Sequence, residues 1–265
     1  MKKIVIFDSG VGGLSVYQEV YKRLPGCEYI YFFDNEAFPY GELDSNLLIR
    51  RCSSFVAYLV KKYCADLVII ACNTASTIVL PTLRNLLSIP VIGVVPAIKP
   101  AAKLSHKAIG LLATPATIKR PYTQKLVQAF VHNCQIFMLG STQLVEMGEA
   151  KIRGEQIDMD KLKDILSPWK NNVDCIVLGC THFPLIKEEI AACFNAQVTL
   201  IDSGAAIASR SVQLLKDELT EQDRLVGNTE NKVFCSAVPR NSTALDSALQ
   251  KMKFNAHHLL SWSEI

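Results

Sequence analysis

The sequence predicts an α/β protein of two pseudosymmetric parallel-sheet domains that face a central cleft. Three observations carry this expectation. Short apolar runs alternate with segments of helical period along most of the 265 residues, the pattern of strand–helix units with both sheet faces covered. The pattern then starts again. Ile4 and Ile109 are 105 positions apart, Cys72 and Cys180 are 108, and Val91 and Val198 are 107, a near-constant offset that marks an internal repeat. The third observation is a pair of matching stretches, DLVIIACNTAS at Asp66–Ser76 and DCIVLGCTHFP at Asp174–Pro184. Each sets a cysteine six positions after an aspartate, at the end of an apolar run.

The elements follow in order. Ile4–Phe7 is a strand, and Asp8-Ser9-Gly10-Val11-Gly12-Gly13 is the turn after it. Leu14, Val16, Tyr17, Val20, Tyr21 and Leu24 then recur at helical spacing until Pro25-Gly26 stops them. Position 15 is serine, so the glycines do not complete a dinucleotide fingerprint. Glu28–Phe33 is a strand, 34–42 a loop around Pro39-Tyr40-Gly41, and Asp44 or Ser45 caps a helix running to about Tyr63. Asp66–Ala71 is a buried strand, Ser76–Leu87 a helix and Ile89–Val95 a strand. The second copy has strands at Ala108–Ala113, Gln135–Leu139, Asp174–Gly179 and Val198–Ile201. Its helices fall at Thr117–Phe130, Thr142–Ile152, Asp160–Trp169 and Pro184–Cys193. A helix at Ser203–Leu219, a polar connection at Thr220–Asn231, and a strand (Lys232–Ala237), helix (Ser242–Met252) and strand (Ala256–Leu260) close the chain. This last group has no partner in the repeat, so it is assigned to the first lobe. The lobes are then 1–97 with 209–265, and 98–208.

Composition narrows the function. Hydrophobic residues make up 49% and charged residues 20%, which supports a sizeable core and argues against disorder. The net charge is +3 with no Lys/Arg block, so no footprint for nucleic acid or an acidic membrane is present. The apolar run before Asp8 is only four residues long, too few for a signal peptide, and no run approaches the roughly 18 residues of a membrane span. Nine cysteines without a C-x-x-C pair suit a reducing compartment and lack the usual zinc or thioredoxin spacing. A cytoplasmic chain is expected, with no membrane or nucleic-acid partner, no metal and no cofactor.

Ligands of parallel sheets bind at the carboxyl ends of the strands. Asp8-Ser9, Cys72-Asn73-Thr74, Thr114 and Cys180-Thr181-His182 all fall at such ends. One thiol from each half suits racemisation at a carbon acid. One thiolate removes the Cα proton while the opposed thiol delivers another to the other face. A thiol titrates near pKa 8.5, so both of its protonation states are accessible near neutrality. The two sulfurs would then stand roughly 6–8 Å apart across one carbon. Asp8 and His182 are candidates to shuttle their protons. Ser9, Asn73, Thr74, Thr114, Thr117, Thr181 and the backbone of Tyr40-Gly41 offer donors, and helix N-termini favour a carboxylate. Cys27, Cys52, Cys64, Cys134, Cys175, Cys193 and Cys235 read as small buried hydrophobes. His257-His258 read as structural. A reversible disulfide between Cys72 and Cys180, and a non-catalytic amino-acid-binding protein, remain the competing readings.

FDSGVGGLSV (Phe7–Val16), PYG (Pro39–Gly41), ACNTAS (Ala71–Ser76) and GCTHFP (Gly179–Pro184) together resemble the glutamate racemases of the cofactor-independent Asp/Glu racemase superfamily. The resemblance implies a two-base proton transfer between L- and D-glutamate that supplies D-glutamate for peptidoglycan. It implies Cys72 and Cys180 as the acid/base pair, assisted by Asp8 and His182. Ligand contacts carry over to Ser9, Tyr40, Gly41, Asn73, Thr74, Thr181 and His182, and Glu146 matches a family glutamate near the site. It also implies a homodimer. Where many members have a Cys-Pro and then a Val-Pro before that glutamate, this chain reads Met138-Leu139-Gly140-Ser141-Thr142-Gln143. The nearest rival is a racemase of the same superfamily for another substrate, such as aspartate.

Overall fold

A computed structural model describes residues 1–194, 198–225 and 229–265. The first unit begins with β1 (Lys3–Asp8), α1 (Leu14–Arg23), β2 (Glu28–Phe33), α2 (Ser45–Tyr63), β3 (Leu67–Ile70), α3 (Asn73–Leu86) and β4 (Val91–Gly93). The second holds α4 (Ile98–Leu104), β5 (Ala108–Ala113), α5 (Pro115–Lys119), α6 (Pro121–Phe130), β6 (Gln135–Gly140), α7 (Gln143–Ile152), α8 (Met159–Leu166), β7 (Cys175–Leu178), α9 (Lys187–Ala192) and β8 (Thr199–Ile201). The chain then returns to the first unit through α10 (Gly204–Leu215), β9 (Asn231–Cys235), α11 (Ser242–Lys251) and β10 (Phe254–Leu259).

All pairings among the described strands are parallel. One sheet has the order β10-β9-β2-β1-β3-β4, the other β6-β5-β7-β8. The orders β2-β1-β3-β4 and β6-β5-β7-β8 are the same topology used twice, so this is an α/β protein of two parallel-sheet domains. β1, β2, β3, β5 and β7 are buried almost along their whole length, as strands covered by helices on both faces must be. The compact units are Met1–Val94 with Gly204–Ile265, and Val95–Ser203. The whole of α10 goes with the first unit because it packs along α1, so the boundary falls at its first residue and not within it.

Several elements differ from the sequence expectation, and three of the differences bear on the site or the unit that holds it. The helix expected over Thr117–Phe130 is broken into α5 and α6 at Arg120 (φ −67°, ψ 135°), because the residue before Pro121 is driven out of the helical region. α3 starts at Asn73 rather than Ser76, because the Cys72 sulfur caps it by accepting from the Ala75 N–H. α4 was not expected at all, and its Pro100 lies within its first turn. The polar connection expected at Thr220–Asn231 includes residues 226–228, which lie outside the described residues.

The aspartate six positions before each cysteine has a structural task. Asp66 accepts from the Lys3 N–H (2.8 Å) and the Lys2 ammonium (2.9 Å), tying the start of β3 to the start of β1. Asp174 does the same for β7 and β5. It accepts from the Ser105 hydroxyl (2.6 Å) and from the N–H groups of His106 (2.7 Å), Lys107 (3.0 Å) and Ala108 (3.2 Å). Burial alone would raise its pKa, but these donors outweigh burial and hold it at about 2. A lowered carboxylate pKa stabilises the fold above its unfolded value near 3.9, and that contribution is lost as pH falls toward about 2. Asp174→Ala is expected to cost about 2 kcal/mol at pH 7. Urea unfolding of both proteins checks this, and the difference should shrink below about pH 4.

Candidate active site

In the first unit, β1 ends on Asp8, fully buried, whose Oδ1 accepts from the Ser9 N–H (2.7 Å). β3 ends two residues before Cys72, which is 7% exposed. The Cys72 sulfur accepts from the Ala75 N–H (3.5 Å) and lies 3.8 Å from the Ser9 hydroxyl. A sulfur seated on a helix N-terminus lies where the backbone favours negative charge. Asn73 and Thr74 open α3 and are buried. Gly13 permits the crowding beside Asp8, since a Cβ there would lie 2.9 Å from the Tyr31 hydroxyl and 3.1 Å from the Asp8 Cβ. Tyr40 and Gly41 begin a short 3-10 turn, with the Tyr40 ring buried beside Phe7 (centroids 6.3 Å apart).

In the second unit, Cys180 follows β7, is also 7% exposed, and lies 3.7 Å from His182 Nδ1. His182 Nε2 lies 2.8 Å from Glu149 Oε1 on α7, and Glu149 is held by Arg153 at 2.6 Å. Burial opposes a charge on this ring, but the Cys180 sulfur and the Glu149 carboxylate outweigh it and hold the His182 pKa well above its ordinary value. One ring nitrogen thus faces the Cys180 sulfur and the other the Glu149 carboxylate, an arrangement that can carry a proton between sulfur and ring. Helix α7 comes this close because residue 148 is glycine: a Cβ there would lie 3.0 Å from both the Cβ and the carbonyl oxygen of His182. Thr114 caps α5 by accepting from the Thr117 N–H (3.2 Å). Among the described residues, no group of three or more His, Cys, Asp or Glu side chains could hold a metal ion.

The family model for Asp/Glu/hydantoin racemases matches residues 12–210. The glutamate racemase of Vibrio campbellii is 54% identical over 96% of this chain and 94% of its own. This chain belongs to the Asp/Glu/hydantoin racemase family. It is an isomerase. The glutamate racemase of Aliivibrio fischeri is 53% identical over 98% of each chain. A crystal structure of Escherichia coli glutamate racemase in complex with L-glutamate and the activator UDP-MurNAc-Ala matches with a TM-score of 0.91 and 46% identity, covering 98% of each chain.

The racemase places its expected site residues in two sets. Asp8, Ser9, Tyr40, Gly41, Cys72, Asn73 and Thr74 belong to the first unit, and Thr114, Thr117, Cys180, Thr181 and His182 to the second. Glu146, the family-matched glutamate, lies on α7 of the second unit. It is exposed, because it projects opposite the stripe of Leu144, Val145, Met147 and Gly148 that α7 buries. Glu149, nearer that stripe, is the carboxylate that meets His182. The sequence carried this signal in the helical period of α7, and motif matching alone passed over it.

The other cysteines divide by burial. Burial pushes the thiols of Cys27 and Cys235 up to about 12 and that of Cys175 up to about 11, which leaves them protonated and inert. Cys64 departs from the expected buried role. It is the exposed, left-handed C-cap of α2 (φ 52°). His257 is bound to Asp246 (2.6 Å), and no helix among the described residues is long and apolar enough to cross a membrane.

Proposed function

We propose that this racemase interconverts L- and D-glutamate by two-base proton transfer at Cα, with Cys72 and Cys180 as the acid/base pair. One thiolate takes the Cα proton, the negative charge passes to the substrate carboxylate, and the other thiol protonates the opposite face of Cα. In the reverse direction the roles exchange. Asp8 and Ser9 serve the Cys72 side, and His182 with Glu149 serves the Cys180 side. Backbone donors at Gly41 and around Asn73, Thr74 and Thr181 hold the carboxylates, with Thr114 and Thr117 beside them. Donors fixed before the reaction stabilise the developing charge without reorganising. The D-glutamate formed supplies peptidoglycan synthesis. The cytoplasmic location and the homodimer that the resemblance implies belong to the same proposal.

The observation that carries this reading is the local setting of the two thiols. Each stands just past the carboxyl end of a topologically equivalent strand, with a polar partner at its sulfur. The likeness to glutamate racemases supplies the substrate. The test is circular dichroism of L-glutamate with the purified chain and no added cofactor. The signal should decay to zero as the racemate forms. L-Aspartate, one methylene shorter, should react about a hundredfold more slowly. A constant glutamate signal, or equal rates with both substrates, would overturn the assignment.

A further inference from the structure

The two units treat the end of their second strand differently. In the second, β6 runs through Ser141 almost directly into α7, and Ser141 N–H donates to the Ala113 carbonyl (3.0 Å). In the first, Asp34 takes the equivalent place, its N–H donating to the Asp8 carbonyl (2.9 Å). There, however, residues 34–44 intervene before α2 begins, and they include Pro39-Tyr40-Gly41. An inserted loop of this length loses conformational entropy on ordering, so something must hold it.

What holds it is a buried charge cluster. Asp34 is fully buried, and its carboxylate accepts from Arg51 Nε (2.7 Å), Arg51 Nη2 (2.6 Å) and the Tyr40 hydroxyl (2.6 Å). Cys52 donates in turn to the Tyr40 oxygen (3.8 Å). Arg51 also reaches Glu36 (2.7 Å). A bidentate guanidinium–carboxylate pair fixes direction as well as distance, which apolar packing does not. The guanidinium is covered by the Trp262 ring, 4.6 Å from its centroid, a cation–π contact. Ser261 and Glu264 close a capping box that stiffens this terminal turn. The loop has a second anchor from the same end of the chain. Asn35 exchanges two hydrogen bonds with the backbone of Ala237 (2.7 and 3.0 Å), and Glu36 N–H donates to the Ser236 hydroxyl (2.9 Å). Both anchors come from the part of the chain that has no counterpart in the repeat.

We infer that Arg51, clamped on Asp34 and covered by Trp262, is a positioning residue that holds the 38–43 loop in its substrate-binding form. The C-terminal segment thus contributes to substrate affinity without touching substrate. This rests on the reading of Tyr40-Gly41 as a ligand contact. Asp34 needs all three donors, so loss of the fork or of its cover loosens Tyr40 and the turn it begins.

The test compares Trp262→Ala, Trp262→Phe and Arg51→Lys with the unaltered chain. KM for L-glutamate should rise about tenfold in Trp262→Ala and Arg51→Lys with kcat changed far less, the signature of lost uniform binding. Amide hydrogen exchange over residues 39–43, measured without substrate, should quicken in the same two variants. Trp262→Phe keeps a ring over the guanidinium and should restore both readouts. If Arg51→Lys does not fold, Trp262→Ala decides alone, since its ring is half-buried at the surface. Lowered melting temperature with KM and exchange unmoved would make the cluster structural only and overturn the inference, as would faster exchange with unmoved KM. If the unaltered chain leaves glutamate unchanged, the substrate assignment fails by itself. The exchange measurement then still decides whether Trp262 and Arg51 hold the loop.

Discussion

Cys72→Ser and Cys180→Ser are each expected to lower glutamate racemisation at least about a thousandfold, since each removes one of two required acid/base groups. The loss should be chemical and not structural. The Cys72 sulfur caps α3, and serine is among the best capping residues, so that variant should melt close to the unaltered protein. Buried thiols provide the contrast. Cys27→Ser and Cys235→Ser place a hydroxyl where the sulfur is fully buried, which costs stability. Both should keep their rate per folded molecule. Rate assays beside thermal melts read both effects. A serine variant at position 72 or 180 that retains normal turnover would remove that residue from the chemistry.

Glu149→Gln is expected to lower kcat about a hundredfold and to drop the His182 pKa toward its ordinary value. In the folded protein that pKa is raised: burial opposes the charge, and Cys180 and Glu149 outweigh burial. A raised histidine pKa stabilises the fold fully below its unfolded value near 6.5. That contribution is lost as pH rises through the folded value. Removing the carboxylate charge makes the imidazolium lose its proton at lower pH. The alkaline limb of the rate profile should therefore move to lower pH in Glu149→Gln. The NMR titration midpoint of the His182 ring should move the same way. Glu146→Gln should change neither, because Glu146 is exposed on the other side of α7.

Much of the fold is local in origin and was readable in the chain. The buried strands are continuous apolar runs, and their ends carry the Asp8, Cys72 and Cys180 turns. The repeat, seen first as offsets between residues, returns as one strand order used in both sheets. What was not readable depends on contacts far apart in sequence. Asp34, Arg51 and Trp262 look unremarkable one by one, and only the folded chain brings a ring from the last residues over a guanidinium on α2. Glu149 is an intermediate case. The family resemblance points to Glu146, whereas the amphipathic period of α7 and the small residue at Gly148 mark Glu149 as the carboxylate that meets His182. The two aspartates before the cysteines drew notice for their spacing, and their role is to clamp strand starts.

The central claim is that two different groups serve the two faces of Cα. Isotope placement at low conversion tests it directly. L-Glutamate is incubated with the chain in D2O, the reaction is stopped early, and both enantiomers are separated and weighed by mass spectrometry. With two thiols, the D-glutamate formed carries one solvent deuterium at Cα, while the recovered L-glutamate carries none. Deuterium entering both pools at equal rates, or D-glutamate that keeps the proton of the L-substrate, would mean a single base and would contradict the account.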